Sequence, residues 1–232
     1  LGGAPANSRW NRNGACSFTQ TTGGNTNNCD YYKQWSTTIR VTQGGTASAF
    51  DGTINFAITI TNLGTSGTAA TLTPSNGATT PIDSAATYVD HGTGIVFPAE
   101  SSSNPASKRY RNVGDAEFTS ATVTSGATTV SREYFAQLKN TYAAATHNQP
   151  SWDYTYSIVA SGTSFGTAAL TICTITATAG TSSDSCTNWA DYNLAVSLPS
   201  SFADQVLGTW TAFDTNTFTQ TTGGNTNSPA NS

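Results

Sequence analysis

Methionine is missing from all 232 positions, and lysine stands at three only, Lys33, Lys108 and Lys139. Charged residues make up 9% of the chain, against about 25% in ordinary soluble domains. Thr, Ser, Gly, Ala and Asn fill the gap, so the surface dissolves through hydroxyls and amides. A net charge of −4 argues against nucleic acid as a partner, because that role needs basic patches. The densest basic run, Lys108-Arg109-Tyr110-Arg111, reads as a solvated turn rather than a polyanion site. No apolar run of 18 residues occurs, so no membrane-spanning helix is expected. Thioethers oxidise readily outside a cell, and their absence fits exposure there. With no Met at position 1, the N-terminus is expected to be a processed one, any signal peptide already removed.

What is present is local and paired. The four cysteines form two close couples, Cys16/Cys29 and Cys173/Cys186. Three connectivities exist for four cysteines. The two local bridges are favoured, because each couple brackets a turn rich in Gly, Thr, Asn or Ser. Each would close a loop of about 14 residues, worth roughly 3 kcal/mol in the chain-entropy picture. No CxxC occurs and only His91 and His147 are available, so no metal site and no cofactor is expected. Disulfides place the protein in an oxidising, extracellular compartment.

Apolar residues alternate with polar ones over 36–43, 53–62, 69–73, 86–89, 94–97, 116–124, 153–160, 168–178, 193–198 and 208–213. Turn signals such as "GTSGT", "PSNG", "SGTSFG" and "AGTSSDS" separate them. The expected fold is all-β: a single antiparallel β-sandwich, Ig-like or jelly-roll, over residues 30–213. Residues 1–29 form a tail with a disulfide-closed segment, and 214–232 form a polar tail. One stretch predicts a short helix: "SREYFAQLKNTYAAATHNQP" (131–150) spaces Tyr134, Leu138 and Tyr142 by four, with Ser131 as cap and Pro150 as stop. Residues 98–115 read as a long loop.

Several segments invite an enzymatic reading. "DHGTGI" (90–95) and "SGTSFG" (161–166) carry His91 and Ser164 in the order of a subtilisin-like protease. That chemistry belongs to a parallel α/β sheet, whereas these residues sit in hairpin patterns, so His91 reads as a loop residue and Ser164 as a turn residue. Glycosidase chemistry needs two facing carboxylates. The glutamates are Glu100, Glu117 and Glu133, and nothing in the sequence pairs them. The tryptophans at 10, 35, 152, 189 and 210 could stack on sugars, or Trp152 and Trp210 could belong to the core. Asp51, Asp184 and Asp191 lie in carbonyl-rich loops without calcium-loop spacing, where Asx-turns account for them. No catalytic residue is assigned.

The decapeptide "FTQTTGGNTN" stands at 18–27 and again at 218–227. Chance does not produce ten identical residues, which leaves a silent duplication or a shared structural task. "FTQT" alternates and "GGN" supplies a turn tolerant of positive φ. A sandwich with strand-competent ends suggests exchange of a strand between copies, and a head-to-tail contact of that kind builds a filament.

Here the chain resembles the extracellular filament subunits that assemble by donor-strand complementation: TasA/camelysin-like matrix fibres and the archaeal thread and bundling-pilus proteins. The resemblance is carried by the Thr-rich sandwich, the stretch "FAITITNLGTSGTAATLT" (56–73) and the N-terminal tail. It implies a homopolymer of this chain as partner, with Trp10 as the N-terminal anchor and Phe18 and Phe218 in the exchanged segments. Surface glycans are a second partner class. No Asn stands in Asn-x-Ser/Thr, which departs from the heavily N-glycosylated archaeal threads. The alternative function is a carbohydrate-binding or glycoside-hydrolysing secreted sandwich.

Overall fold

A computed structural model describes residues 6–18, 23–24, 26, 28–50, 53–78, 81–147, 149–206, 208–212, 216–227 and 230–231. Among them every regular element is a strand. The first are β1 (Ser8–Arg12), β2 (Tyr31–Gly44), β3 (Phe56–Asn62), β4 (Thr65–Leu72), β5 (Ile82–Asp83), β6 (Thr87–Asp90) and β7 (Val96–Phe97). Next come β8 (Lys108–Asn112), β9 (Phe118–Thr119) and the long β10 (Thr128–Thr146). Then follow β11 (Tyr156–Ser164), β12 (Thr167–Ala177), β13 (Ser183–Asp191) and β14 (Ala195–Ser197). The last are β15 (Ser201–Ala203), β16 (Thr209–Thr211), β17 (Thr217–Thr219), β18 (Thr226–Asn227) and β19 (Ala230–Asn231).

One sheet runs through the whole molecule, with β1, β2, β10 and β13 along its path and β5, β6, β8, β18 and β19 beside them. Two four-stranded sheets, β4-β3-β7-β9 and β12-β11-β14-β17, pack on it. Each encloses its own core. The first holds Ile39 and Val41 of β2, Tyr134 and Ala136 of β10, Phe56, Ile58 and Ile60 of β3, and Phe97. The second holds Tyr142 and Ala144 of β10, Ile158 and Ala160 of β11, Ile172 and Ile175 of β12, and Val196. The expectation of one sandwich over 30–213 therefore becomes two cores under a common sheet. Nor is that sheet purely antiparallel. β2 and β10 lie parallel from Thr37↔Thr128 to Gly44↔Phe135, and β18 and β19 lie parallel to the far part of β10.

The helix expected over 131–150 is a strand instead. Residues four apart share one face of a helix, but they also share one face of a strand. Tyr134 to Leu138 are buried without interruption. One face of that stretch lines the first core through Tyr134 and Ala136, and the other is covered where Phe135 meets Phe165 edge-on at 6.1 Å. A strand buried on both faces loses its alternation and reads as a continuous apolar run. The region 98–115, read as a loop, contains β8, which pairs with β10 from Asn112↔Tyr134 to Lys108↔Leu138.

The two cysteine couples are bridged, Cys16 to Cys29 at a Cα separation of 5.8 Å and Cys173 to Cys186 at 6.2 Å. The second bridge joins β12 to β13, and so ties the two sheets of the second sandwich together.

Burial pushes the phenols of Tyr134 and Tyr142 well above their ordinary value. In the unfolded chain both ionise near pH 10, roughly the reference value. A group whose folded pKa is raised contributes its stability in full below the unfolded pKa and loses it as pH climbs toward the folded one. Alkaline titration is therefore expected to unfold the chain cooperatively, with a burst of tyrosinate absorbance at the transition. Tyr142→Phe should move that transition to higher pH. Smooth ionisation of all nine tyrosines with the fold intact would contradict this.

Candidate assembly interface

The two sandwiches carry the same brace at matching places. In the first, Asp90 accepts hydrogen bonds from Gln34 Nε2 (2.8 Å) and from the amides of Leu63 (3.1 Å) and Gly64 (2.7 Å). In the second, Asp191 accepts from Gln137 Nε2 (3.1 Å) and from the amides of Phe165 (3.0 Å) and Gly166 (2.8 Å). Arg9 donates to Gln34 Oε1, and Arg109 donates to Gln137 Oε1. Arg9 lies over the ring of Tyr88 at 3.7 Å, and Arg109 over Trp189 at 4.4 Å. The carboxylate has a local task in both. It holds a two-residue hairpin whose first member, Leu63 or Phe165, stands at φ 52, a conformation disfavoured for large side chains. Both aspartates are buried, so their oxygens find protein donors in place of water.

The correspondence extends to the strands that link one sandwich to the next. β1 pairs with β2 from Ser8↔Trp35 to Arg12↔Tyr31, and β8 pairs with β10 from Lys108↔Leu138 to Asn112↔Tyr134. Trp10, Tyr110 and Trp210 stand 100 residues apart, as do Phe18, Phe118 and Phe218. The decapeptide thus marks one fixed place in a repeating unit. Between its two copies, "FTSATVTSGA" (118–127) holds the same place in diverged form.

The junction between the sandwiches shows what that place does. Tyr110 is fully buried in the first core, 4.8 Å from the Phe50 ring, and its hydroxyl donates to Ala49 O at 2.7 Å. Tyr134 is fully buried against Phe56 at 4.7 Å and donates to Pro98 O at 2.6 Å. Phe118 adds to the edge of β7 and packs on the same core, with Arg132 over its ring at 3.8 Å. These residues begin the second sandwich in sequence and finish the first in space.

At the N-terminal end the matching residues face solvent. Trp10 is 58% exposed, Tyr31 56% and Phe18 44%. At the far end they are covered again. Trp210 lies 4.9 Å from Trp152 as Tyr110 lies against Phe50, and Phe218 adds to the edge of β14. The C-terminal decapeptide is held by Asn140, which donates to Gln220 Oε1 and to Thr222 O (3.1 Å) and accepts from the Asn225 amide (2.9 Å). Gly224 N donates to Lys139 O at 2.8 Å. A Cβ on Gly223 would collide with Ser107 backbone, whereas around Gly23 there is open space. Gly24 and Gly224 share φ +83.

The other sequence candidates lie apart from this interface or serve locally. His91 Nδ1 accepts from Trp35 Nε1 at 2.9 Å, and Ser164 Oγ accepts from Gln137 Nε2 at 3.1 Å. They belong to different sandwiches. Glu100 pairs with Arg111 at 2.7 Å and Arg109 at 3.5 Å, while Glu117 and Glu133 are exposed. Trp35, Trp152 and Trp210 are buried. Asp184 caps a turn by accepting from Thr178 N at 2.9 Å, and Asp51 lies outside the described residues. Among the described residues no group of three or more His, Cys, Asp or Glu could hold a metal. Asp90 and the two glutamine partners were not singled out in the sequence, and Asp191, read there as an Asx-turn residue of a loop, is instead the buried last residue of β13, bonded to a hairpin of the facing sheet. Their signal was there: an acidic residue closing a buried strand, and a hairpin tip of the form "NLG" or "SFG".

Compared with protein-family models and with curated proteins, the chain matches none. Solved structures give loose likenesses. A leucine-rich repeat protein from Bacteroides thetaiotaomicron is 12% identical over 85% of this chain, at a TM-score of 0.30, and the chain spans 26% of its length. Shaft pilin SpaA from Lactobacillus rhamnosus GG is 9% identical over 85% of this chain and 98% of its own, at 0.27. The Bacillus anthracis TIE protein is 10% identical over 89% of this chain and 37% of its own, also at 0.27.

Removing either carboxylate should expose its role. Asp90→Ala or Asp191→Ala leaves two turn amides and a glutamine amide without their acceptor and releases a strained hairpin tip. The expected loss is about 3 kcal/mol, read from urea unfolding by tryptophan fluorescence. A loss below about 1 kcal/mol, the worth of one ordinary hydrogen bond, would contradict the brace.

Proposed function

We propose that this chain is a structural, non-enzymatic subunit of an extracellular filament or surface layer, joined end to end by exchange of β-strands between copies. The observation that carries the reading is the contrast in burial. Tyr110, Tyr134 and Phe118 are covered by the sandwich before them, while Trp10, Tyr31 and Phe18, at the same places one repeat earlier, stand in solvent. Trp10 and Tyr31 stand diagonally across the β1–β2 pair, and neighbouring exposed aromatics on a low-charge molecule mark a contact surface. The chain's own junction supplies the form that contact takes: a strand added in parallel to β2, an aromatic pair and an edge strand. Repeating such a head-to-tail contact does not close on itself, so it yields a fibre. The disulfides and the absence of methionine suit a life outside the cell.

The test uses exposed residues, so that folding is preserved. Trp10→Ala and Tyr31→Ala chains should remain soluble and folded with both disulfides intact. Each loses about 2 kcal/mol of burial per contact, enough to weaken association roughly thirtyfold at 1.4 kcal/mol per factor of ten. Electron microscopy of the secreted protein should show uniform fibres for the wild type and few or none for the double variant. Wild-type material that stays as single particles at every concentration would remove the proposal and favour the carbohydrate-binding alternative.

A further inference from the structure

Of the five tryptophans, Trp35, Trp152 and Trp210 are buried and Trp10 stands at the candidate assembly interface. Trp189 lines a cavity of about 250 Å³ in the second sandwich. The β11–β12 hairpin supplies Phe165 and Leu170 to it, β13 supplies Asn188 and Trp189, and β8 with the turn after it supplies Arg109 and Asp115.

The walls are fixed by the fold. Asn188 ties β13 to β12 by donating to Ile172 O, and it accepts from the Trp189 amide at 2.9 Å. Cys173–Cys186 bridges the same two strands. Arg109, anchored on Gln137 of the brace, lies over the Trp189 indole. The lining is of two kinds. Phe165, Leu170 and Trp189 present carbon, and Leu170 stays exposed although it is apolar. Asp115 presents a carboxylate, which accepts from Arg111 Nε while its side chain remains half exposed. Among the described residues no acceptor meets Trp189 Nε1.

The first sandwich is an internal control. Arg9 lies over Tyr88 there as Arg109 lies over Trp189, and Asp90 holds its hairpin as Asp191 does. One hundred residues before Asp115 stands Ala15. The brace therefore works without an indole and without that carboxylate. Trp189 and Asp115 are additions of the second sandwich.

We propose that this cavity binds one neutral pyranose ring of a surface glycan. A pyranose has an apolar C–H face and a rim of hydroxyls, and aromatic carbon beside a few placed polar groups matches both. The C–H face lies against Trp189 and Leu170, and Asp115 accepts from ring hydroxyls in charge-assisted bonds. Arg109 and Arg111 are already engaged by Glu100 and Asp115, so an acidic sugar meets the carboxylate as a like charge and is disfavoured. One chain supplies every wall of the cavity, so the proposal is independent of the filament reading.

Methyl glycosides of glucose, galactose, mannose and N-acetylglucosamine, with methyl glucuronide as the acidic probe, test this on the full chain by saturation-transfer NMR and calorimetry. At least one neutral glycoside should bind at a single site, with a dissociation constant on the order of 1 mM, which suits a ligand of about a dozen heavy atoms. Trp189→Tyr and Asp115→Ala each bring in what the first sandwich carries at that place, so the urea midpoint should hold. Each should weaken binding roughly tenfold or more, the effect of losing about 1.4 kcal/mol. If no neutral glycoside binds at concentrations well above that constant, if the glucuronide alone binds, or if both variants bind as the wild type does, the proposal is wrong.

Discussion

Everything in this molecule hangs on β10, one strand that belongs to two cores. Its first part lies parallel to β2 and sends Tyr134 and Ala136 into the first core. Its last part pairs with β13 and sends Tyr142 and Ala144 into the second. A linker between domains normally follows exposed, polar chain where few contacts cross. Here the crossing point is buried backbone with hydrogen bonds on both sides. The two sandwiches cannot swing apart without breaking a ladder, and the first core is not complete without Tyr110 and Tyr134, which sequence order assigns to the second.

That arrangement makes the Asp90 and Asp191 braces intelligible. Each carboxylate sits at the end of a strand of the common sheet and reaches the hairpin tip of the facing sheet. In a chain with so few charges, a buried carboxylate is a costly choice. It is satisfied by three donors in each case, and it fixes how the two sheets of a sandwich sit over one another. In the second sandwich the Cys173–Cys186 bridge does the same task covalently. The first has its disulfide elsewhere, around the segment that enters β2.

Much of the strand content was legible from alternation. "TINFAITITN" and "DYTYSIVA" face a core on one side only, so their period of two survives in the sequence. The cysteine couples were legible because both partners flank one short turn-rich segment. β10 was not, because burial on both faces erases the alternation and a spacing of four suits helix and strand alike. The two cores were hidden for a related reason. A boundary that passes through the middle of a strand leaves no polar linker to find. The repeat of 100 residues was visible only where it was perfect, at the decapeptide. Between the copies, what persists is one aromatic at 10, 110 and 210 and one Phe at 18, 118 and 218, a signal too sparse to notice without the paired strands. Trp10, Phe18 and Phe218 could be picked out of the sequence as aromatics of the two ends, and of these Trp10 and Phe218 lie in strands while Phe18 does not; Tyr31 and the Asn140 seat show only in the folded chain.

The parallel pairing of β2 with β10 also sets how the protein bears load. Tension applied along the chain pulls the strand that enters the first sandwich and the strand that leaves it in opposite directions along one shared line. The eight register pairs from Thr37↔Thr128 to Gly44↔Phe135 are then sheared together rather than peeled one at a time. Rupture must break the ladder as a unit, whereas a hairpin such as β3–β4 pulled from its open end would unzip. The Cys173–Cys186 bridge, spanning a sequence separation of 13, withholds that stretch from extension, about 45 Å of contour at 3.3–3.6 Å per residue. A tether built on this plan would be stiff up to a threshold force and would yield in whole steps, each one sandwich long.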